Sequence, residues 1–342
     1  MTGHELVAEV WRSGFRESEH RGSVVAVSDS GEPLLSVGQP DEPMFPRSSN
    51  KPMQALAMLC HGLDLDGELL ALACASHSGE PFHIDGVRRI LDAYGLTVDA
   101  LQCTPDLPAG EEAREAHLVA GLGEAPLYMN CSGKHAAMLA TCVINGWPLA
   151  TYRDPSHPLQ RAIASEIASL TGSSVAAVGV DGCGAPVFGI PLTGLARAFG
   201  RVASAESGLE RRVADAMRAH PEWVGGTGPE RHDTRLMQSV PGLIAKDGAE
   251  AVGAVGLPDG RGIAVKIADG TGTRARTVAM LAALRQLGVE APEELATVPI
   301  LGHGEPVGSV RPGGSLAAEP ALRWRRPGRA PARCGSRWSY SG

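Results

Sequence analysis

The sequence predicts an α/β fold of the α+β kind, a mixed or antiparallel sheet flanked by helices. Three observations carry that expectation. The apolar runs VVAV (24–27) and LLSV (34–37) flank Asp29-Ser30-Gly31-Glu32-Pro33, a turn between two strands. A second pair, AVGAVGL (251–257) and GIAVKIA (262–268), is joined by Leu257-Pro258-Asp259-Gly260-Arg261-Gly262, which reads as a hairpin. Between the two pairs lie several stretches with apolar residues at helical spacing.

Taken in order, residues 5–12 and 22–37 read as short strands. PMQALAMLCHGL (52–63) reads as a helix with Ala55, Leu56, Leu59 and Cys60 on one face. Further helices are expected at 83–94, 111–121, 133–145, 157–171, 206–219 and 273–288, the last closed by Gly288. VAAVGV (175–180) reads as a strand, and Ala245-Lys246-Asp247-Gly248-Ala249-Glu250 as a surface turn. No repeat recurs at a fixed period. From Gly313 the chain changes character, carrying six arginines against one glutamate. The expected organisation is therefore one domain over 1–312 and an arginine-rich, disordered tail over 313–342.

Composition narrows the function classes. The chain has 342 residues, of which 43% are hydrophobic and 20% charged, so it has the makings of a sizeable core and is no disordered or coiled-coil protein. No apolar run approaches the roughly 18 residues of a membrane span, and MTGHELVAEVW lacks a basic start followed by an apolar stretch. A net charge of −7 gives no general attraction to nucleic acid or anionic lipid. The expectation is a cytoplasmic protein acting on a small molecule. Seven cysteines, at 60, 74, 103, 131, 142, 183 and 334, form no C-x-x-C pair and no disulfide framework. Of 31 basic residues only four are lysines, namely Lys51, Lys134, Lys246 and Lys266. A chain so biased to arginine keeps lysine where a neutral amine or a compact ammonium is needed.

Five short stretches hold the candidate chemistry. In Arg47-Ser48-Ser49-Asn50-Lys51-Pro52 a serine stands three residues before a lysine, at the start of a helix. That spacing puts both on one face, where a lysine kept partly neutral can accept a serine proton. Ser49 can equally be a helix cap. Cys74-Ala75-Ser76-His77-Ser78-Gly79-Glu80 follows an apolar stretch, but adjacent residues rarely form a nucleophile–base pair, so capping serines at a helix–loop junction explain it too. Asn130-Cys131-Ser132-Gly133-Lys134-His135 opens another helix, with Cys131 and His135 at the spacing of two metal ligands on one face. A capped helix with a buried cysteine is the alternative. Val180-Asp181-Gly182-Cys183-Gly184-Ala185-Pro186 ends a strand in a glycine turn that admits a ligand, and Cys183 can join Cys131 as a second thiolate. In Val265-Lys266-Ile267 a lysine sits mid-strand; alternation sends it away from its neighbours, to be used or simply exposed.

Together these stretches resemble the rhizobial-type L-asparaginase family, also called asparaginase II. RSSNKPMQALAML, CASHSGEP, YMNCSGKHAAML, SHPLQ, VDGCGAP, RHDTRLMQSVPGLIAKDGAEAVGAVGLP and GIAVKIADG run in the family's order across about residues 5–312. The resemblance implies a fold similar to serine β-lactamases and glutaminases. It implies hydrolysis of L-asparagine to L-aspartate and ammonia through an acyl-enzyme. It implies Ser48 with Lys51 as one Ser–Lys tandem and Ser76 with Lys266 as the other, Ser48 being the expected nucleophile, Lys51 its base, and Ser76 with Lys266 the relay to ammonia. It further implies one zinc ion on Cys131, Lys134 and Cys183, supporting or binding substrate rather than activating water, with Asp181 and His135 lining the substrate pocket. A homodimer is the implied assembly. The arginine-rich segment has no counterpart in the family.

Two other readings compete. A β-lactamase or peptidase-like serine hydrolase shares the Ser–Lys logic, yet where it should show Tyr or Ser-x-Asn this chain has Asn130-Cys131-Ser132. An inactive zinc-binding scaffold of the same fold is the second; the presence of Ser48, Lys51, Ser76 and Lys266 weighs against it.

Overall fold

The computed structural model describes residues 3–318. Its main sheet joins eight strands: β1 (Glu5–Arg12), β2 (Phe15–Val27), β3 (Pro33–Val37), β7 (Ile244–Gly248), β8 (Val252–Gly256), β9 (Gly262–Ile267), β10 (Val298–Gly302) and β11 (Glu305–Pro312). The order is β10-β11-β1-β2-β9-β8-β7, with β3 on β2. A small second sheet has the order β4-β6-β5, from β4 (Pro43–Met44), β5 (Ala177–Val180) and β6 (Pro186–Pro191). Every strand pairing among the described residues is antiparallel, as expected for a sheet whose strands come in hairpins.

Strand β2 is the hub. Along one edge its first half pairs with β1 and its second half with β3, while Gly22 to Val27 pair with β9 on the other edge. The strand starts at Phe15, ahead of the expected 22; its first part, FRESEHR (15–21), is charged and shows no apolar alternation. All five residues of β8 are buried. Side chains alternate between faces, so the sheet is covered on both. Part of that cover is the helix Leu192–Ser204, which packs on β2, β8 and β9 and was not expected from the sequence. It comes unusually close: a Cβ at position 262 would lie 1.9 Å from the carbonyl oxygen of Ala196. Glycine there lets helix backbone rest on strand backbone.

Helices Gly67–Ala73, Ser132–Asn145, Pro158–Thr171 and Gly208–Ala219 pack around Lys51–Cys60, whose first nine residues are all buried, while Thr277–Gln286 packs on β9 and β11. Ala55, Leu56 and Leu59 lie in the core as expected, but Cys60, the last residue, is exposed. The other expected helices are present within a few residues: Pro81–Ala93, Glu111–Val119, Ser132–Asn145, Pro158–Thr171, Gly208–Ala219 and Thr277–Gln286. Gly146 and Gly172 close two of them in the left-handed conformation that glycine tolerates.

The segment 245–250 is a correction. It is no surface turn, since Ile244–Gly248 is the edge strand β7 and the Lys246 side chain is 1% exposed. Of the segment expected to be a tail, Gly313 donates its N–H to Val7 O, Leu316 is buried, and Gln286 Nε2 donates to Ser315 O. The expectation for 319–342 lies outside the described residues. No helix among the described residues is long and apolar enough to cross a membrane.

Candidate active site

Three of the four lysines are buried, which the arginine bias of the sequence foreshadowed. Lys51 and Lys246 lie where the serine turn meets β7, and Lys134 lies against the turn after β5. A buried ammonium is costly, so each must be paired or give up its proton.

Lys51 opens its helix directly after the 3-10 turn Arg47–Asn50. Ser49 proves structural, its Oγ donating to Pro46 O at 2.6 Å. Ser48 is half-buried and its side chain makes no hydrogen bond among the described residues. Lys51 Nζ donates to Ser76 Oγ at 2.9 Å and to the carbonyl oxygen of Ala75. Burial lowers the Lys51 pKa; the charges of Lys134 and Lys246 push the same way, while Cys131 opposes them. The group is thereby disposed to be neutral, the state a general base needs. Ser76 is fixed from both sides, its N–H donating to Val224 O and the next residue's N–H to Asn130 O.

His77 is no base for either neighbouring serine. Its Nδ1 accepts the Gly79 N–H at 3.1 Å, so its Nε2 carries the proton and donates to Ser132 Oγ at 2.9 Å. Burial holds this imidazole well below its ordinary pKa, and it stacks on His83. The pair ties the Ser76 loop to the helix Ser132–Asn145.

That helix presents Lys134 and His135, with Cys131 at its N-cap. Cys183 comes from the turn after β5, shaped by Gly184 at φ +81°. Lys134 Nζ donates to Cys183 Sγ at 3.1 Å. Cys131 Sγ donates to Asn130 Oδ1 at 3.0 Å; the neighbouring Cys131 lowers the Cys183 pKa, helped by Lys134, while Cys183 and burial raise that of Cys131. Burial alone would depress Lys134, yet the thiolate of Cys183 outweighs it and keeps the lysine protonated. Burial lowers His135 to about 4; its Nδ1 meets Tyr152 Oη at 2.7 Å, and its buried Nε2 has no hydrogen-bond partner among the described residues. No three His, Cys, Asp or Glu side chains converge as a metal-binding group among the described residues. A cation here would need the lysine as well.

Asp181 sits at the same turn, but one of its oxygens is committed, taking the Arg47 Nε–H at 2.7 Å and the Gly182 N–H at 2.8 Å. Arg47 itself has φ +53°, a left-handed conformation a side-chain-bearing residue rarely adopts, immediately before Ser48.

The expected pairing of Ser76 with Lys266 is not made. Lys266 is half-buried on β9, opposite Ser23 and Val252, and its Nζ donates to the carbonyl oxygen of Glu250. The residue that sequence reasoning missed is Lys246. Its Nζ pairs with Asp233 Oδ2 at 2.9 Å, both side chains being 5% exposed or less, and its charge is felt by Lys51 and by Cys74. Strand β7 meets the serine turn almost backbone to backbone, since a Cβ on Gly248 would lie 2.7 Å from Pro46 O and 3.1 Å from Ser49 N. The scarcity of lysine was the signal that could have found it.

A family model described as L-asparaginase II matches residues 8–312. No curated protein matches the chain. Solved structures similar to it include a crystal structure of Mglu, 16% identical over 77% of this chain and 66% of that one, with a TM-score of 0.34. Mglu in its glutamate form is 15% identical over 78% and 61%, with a TM-score of 0.32, and its tris and glutamate form is 15% identical over 81% and 61%, with a TM-score of 0.33. The chain thus spans less than two thirds of the length of these structures.

Proposed function

The chain belongs to the L-asparaginase II family, and on that premise we propose that it hydrolyses the side-chain amide of L-asparagine to L-aspartate and ammonia by a Ser–Lys acyl-enzyme mechanism. The observation that carries the reading is Lys51: buried, lowered in pKa, one helical turn from Ser48, and in hydrogen-bond contact with Ser76. In this proposal neutral Lys51 takes the Ser48 proton as Oγ attacks the side-chain carbonyl carbon. Ser76, already on Lys51 Nζ, passes that proton to the departing amide nitrogen, which leaves as ammonia. Water then attacks the aspartyl ester, giving its proton back through Lys51 to Ser48 Oγ. Lys246, rather than Lys266, is the further lysine that acts on this site, its charge helping to keep Lys51 neutral.

We propose further that one zinc ion is held by Cys131, Lys134 and Cys183. The donor set fits. Two buried sulfurs and an amine already converge, and the unpartnered Nε2 of His135 stands beside Cys183. Lys134 would have to lose its proton on binding. Bound there, zinc would supply positive charge to orient or bind substrate. Asp181 holds Arg47 beside the serine turn, and in this proposal His135 lines the substrate pocket.

The test is ammonia release from L-asparagine and L-glutamine by wild type and Ser48→Ala, with metal content measured on the same samples. Release from asparagine that falls by at least about 10³-fold in the variant is the expected result. Zinc-loaded wild type with no turnover of either amide would sink the reading. Turnover of nitrocefin in its place would favour the β-lactamase-like alternative.

A further inference from the structure

Two carboxylates face Arg47, and they differ in what they are free to do. Asp181 is 13% exposed and already in contact with the guanidinium. Glu250 is 62% exposed, its Oε1 lies 3.8 Å from Arg47 Nη1, and its carboxylate accepts no hydrogen bond among the described residues. That separation is longer than a hydrogen bond, so arginine and carboxylate are neighbours with room between them.

The backbone around Glu250 is held at some cost. Strands β7 and β8 are joined through Ala249–Ala251, where Glu250 (φ +56°) and Ala251 (φ +53°) are both left-handed without being glycine. Such a turn persists only when its surroundings over-determine it. Lys266 does so, donating from Nζ to the Glu250 carbonyl while its own backbone pairs with Val252. Gly270, at φ +76°, lies beside the Glu250 carboxylate. The same hairpin carries Lys246 and packs on the Ser48 turn, so the backbone that carries Glu250 is fixed relative to the serine.

We propose that Glu250 receives the α-ammonium group of the amino-acid substrate, and that Lys266 is the positioning residue that aims it. The proposal rests on the amino-acid amidohydrolase reading above. An α-amino acid carries an ammonium and a carboxylate on one carbon. A guanidinium and an unengaged carboxylate side by side match that head group charge for charge. Asp181, expected from the sequence to hold the ammonium, is left to hold Arg47.

The experiment compares L-asparagine with succinamic acid, the same amide without the α-amino group, in wild type, Glu250→Gln, Lys266→Met and Lys266→Arg. For Glu250→Gln the KM for asparagine rises about tenfold with kcat little changed, while succinamic acid turnover is unaffected. Lys266→Met shows the same selective KM defect, and Lys266→Arg restores part of it. Glu250 is exposed, so the melting temperature of its glutamine variant stays at the wild-type value. An active wild type whose Glu250→Gln variant loses on both substrates equally, or on neither, overturns the inference and leaves the asparaginase reading standing. If wild type turns over neither substrate, the functional reading fails and binding decides the inference. A preference for L-aspartate over succinate that Glu250→Gln abolishes upholds it, and no such preference overturns it.

Discussion

Replacing Lys51 by methionine is expected to lower kcat for ammonia release from L-asparagine by about 10³-fold, within the usual contribution of a positioned general base. The same lysine sets a pH dependence whose sign is fixed by its burial. Its folded pKa is lowered, so the unfolded chain binds a proton at pH values where the native protein does not. Between the lowered pKa and the ordinary 10.5, stability therefore rises with pH, and it is lost as pH falls through that window. Activity follows the same direction, because the ammonium cannot accept the serine proton; kcat/KM should fall on the acid side of the Lys51 pKa. The methionine variant removes a buried amine in favour of an apolar chain of similar length. It should melt at or above the wild-type temperature, with a flatter pH dependence of stability. A variant that loses activity by unfolding would show the opposite, a lower melting temperature at every pH. Steady-state kinetics and thermal melts across pH separate the two.

Breaking the Lys246–Asp233 pair is expected to destabilise the protein by about 3–5 kcal/mol, the usual cost of leaving one buried charge alone. Both side chains are almost wholly shielded from water, and among the described residues the only other hydrogen bond of Lys246 Nζ is to Asp247 O at 3.0 Å. Burial would raise the Asp233 carboxyl, but Lys246 outweighs it and brings the pKa down to about 2. Asp233→Leu should therefore show the full loss in chemical denaturation, and the double variant Asp233→Leu with Lys246→Met should recover most of it. The double variant should nonetheless remain impaired on asparagine, because the charge that helps hold Lys51 neutral has gone. A double variant as active as wild type would remove Lys246 from the chemistry and leave it a structural ion. Additive losses of stability would show that the two groups do not depend on each other.

What was legible in the sequence was legible for local reasons. The hairpin between β8 and β9 announces itself in Pro258-Asp259-Gly260 flanked by apolar strands, and the helix Lys51–Cys60 in its proline start and apolar spacing. What stayed hidden depends on contacts distant along the chain. Lys246-Asp247-Gly248 has the composition of a turn, and only Asp233 at one side and Arg276 at the other make it affordable as a buried edge strand. The family resemblance implies a pairing of Lys266 with Ser76, yet the reach of Lys266 is set by the hairpin tip that faces it. The helix Leu192–Ser204 follows a proline-ended strand without a capping residue, so its start carries no local signal. The meeting of Cys131, Lys134 and Cys183 joins a helix start to a glycine turn some fifty positions away, and no periodicity encodes it. The resemblance of ordered motifs brought those residues together where spacing could not.

The central claim is that a serine beside Lys51 carries the acyl group, and trapping that group tests it most directly. Protein quenched in acid during turnover of L-asparagine, digested and mapped by mass spectrometry, should carry one aspartyl adduct on the peptide containing Ser48. Hydroxylamine added before the quench should remove the adduct and release aspartyl hydroxamate. An adduct on the Ser76 peptide would exchange the roles of the two serines. Turnover with no adduct on either peptide, under conditions where hydroxylamine yields no hydroxamate, would contradict the acyl-enzyme account.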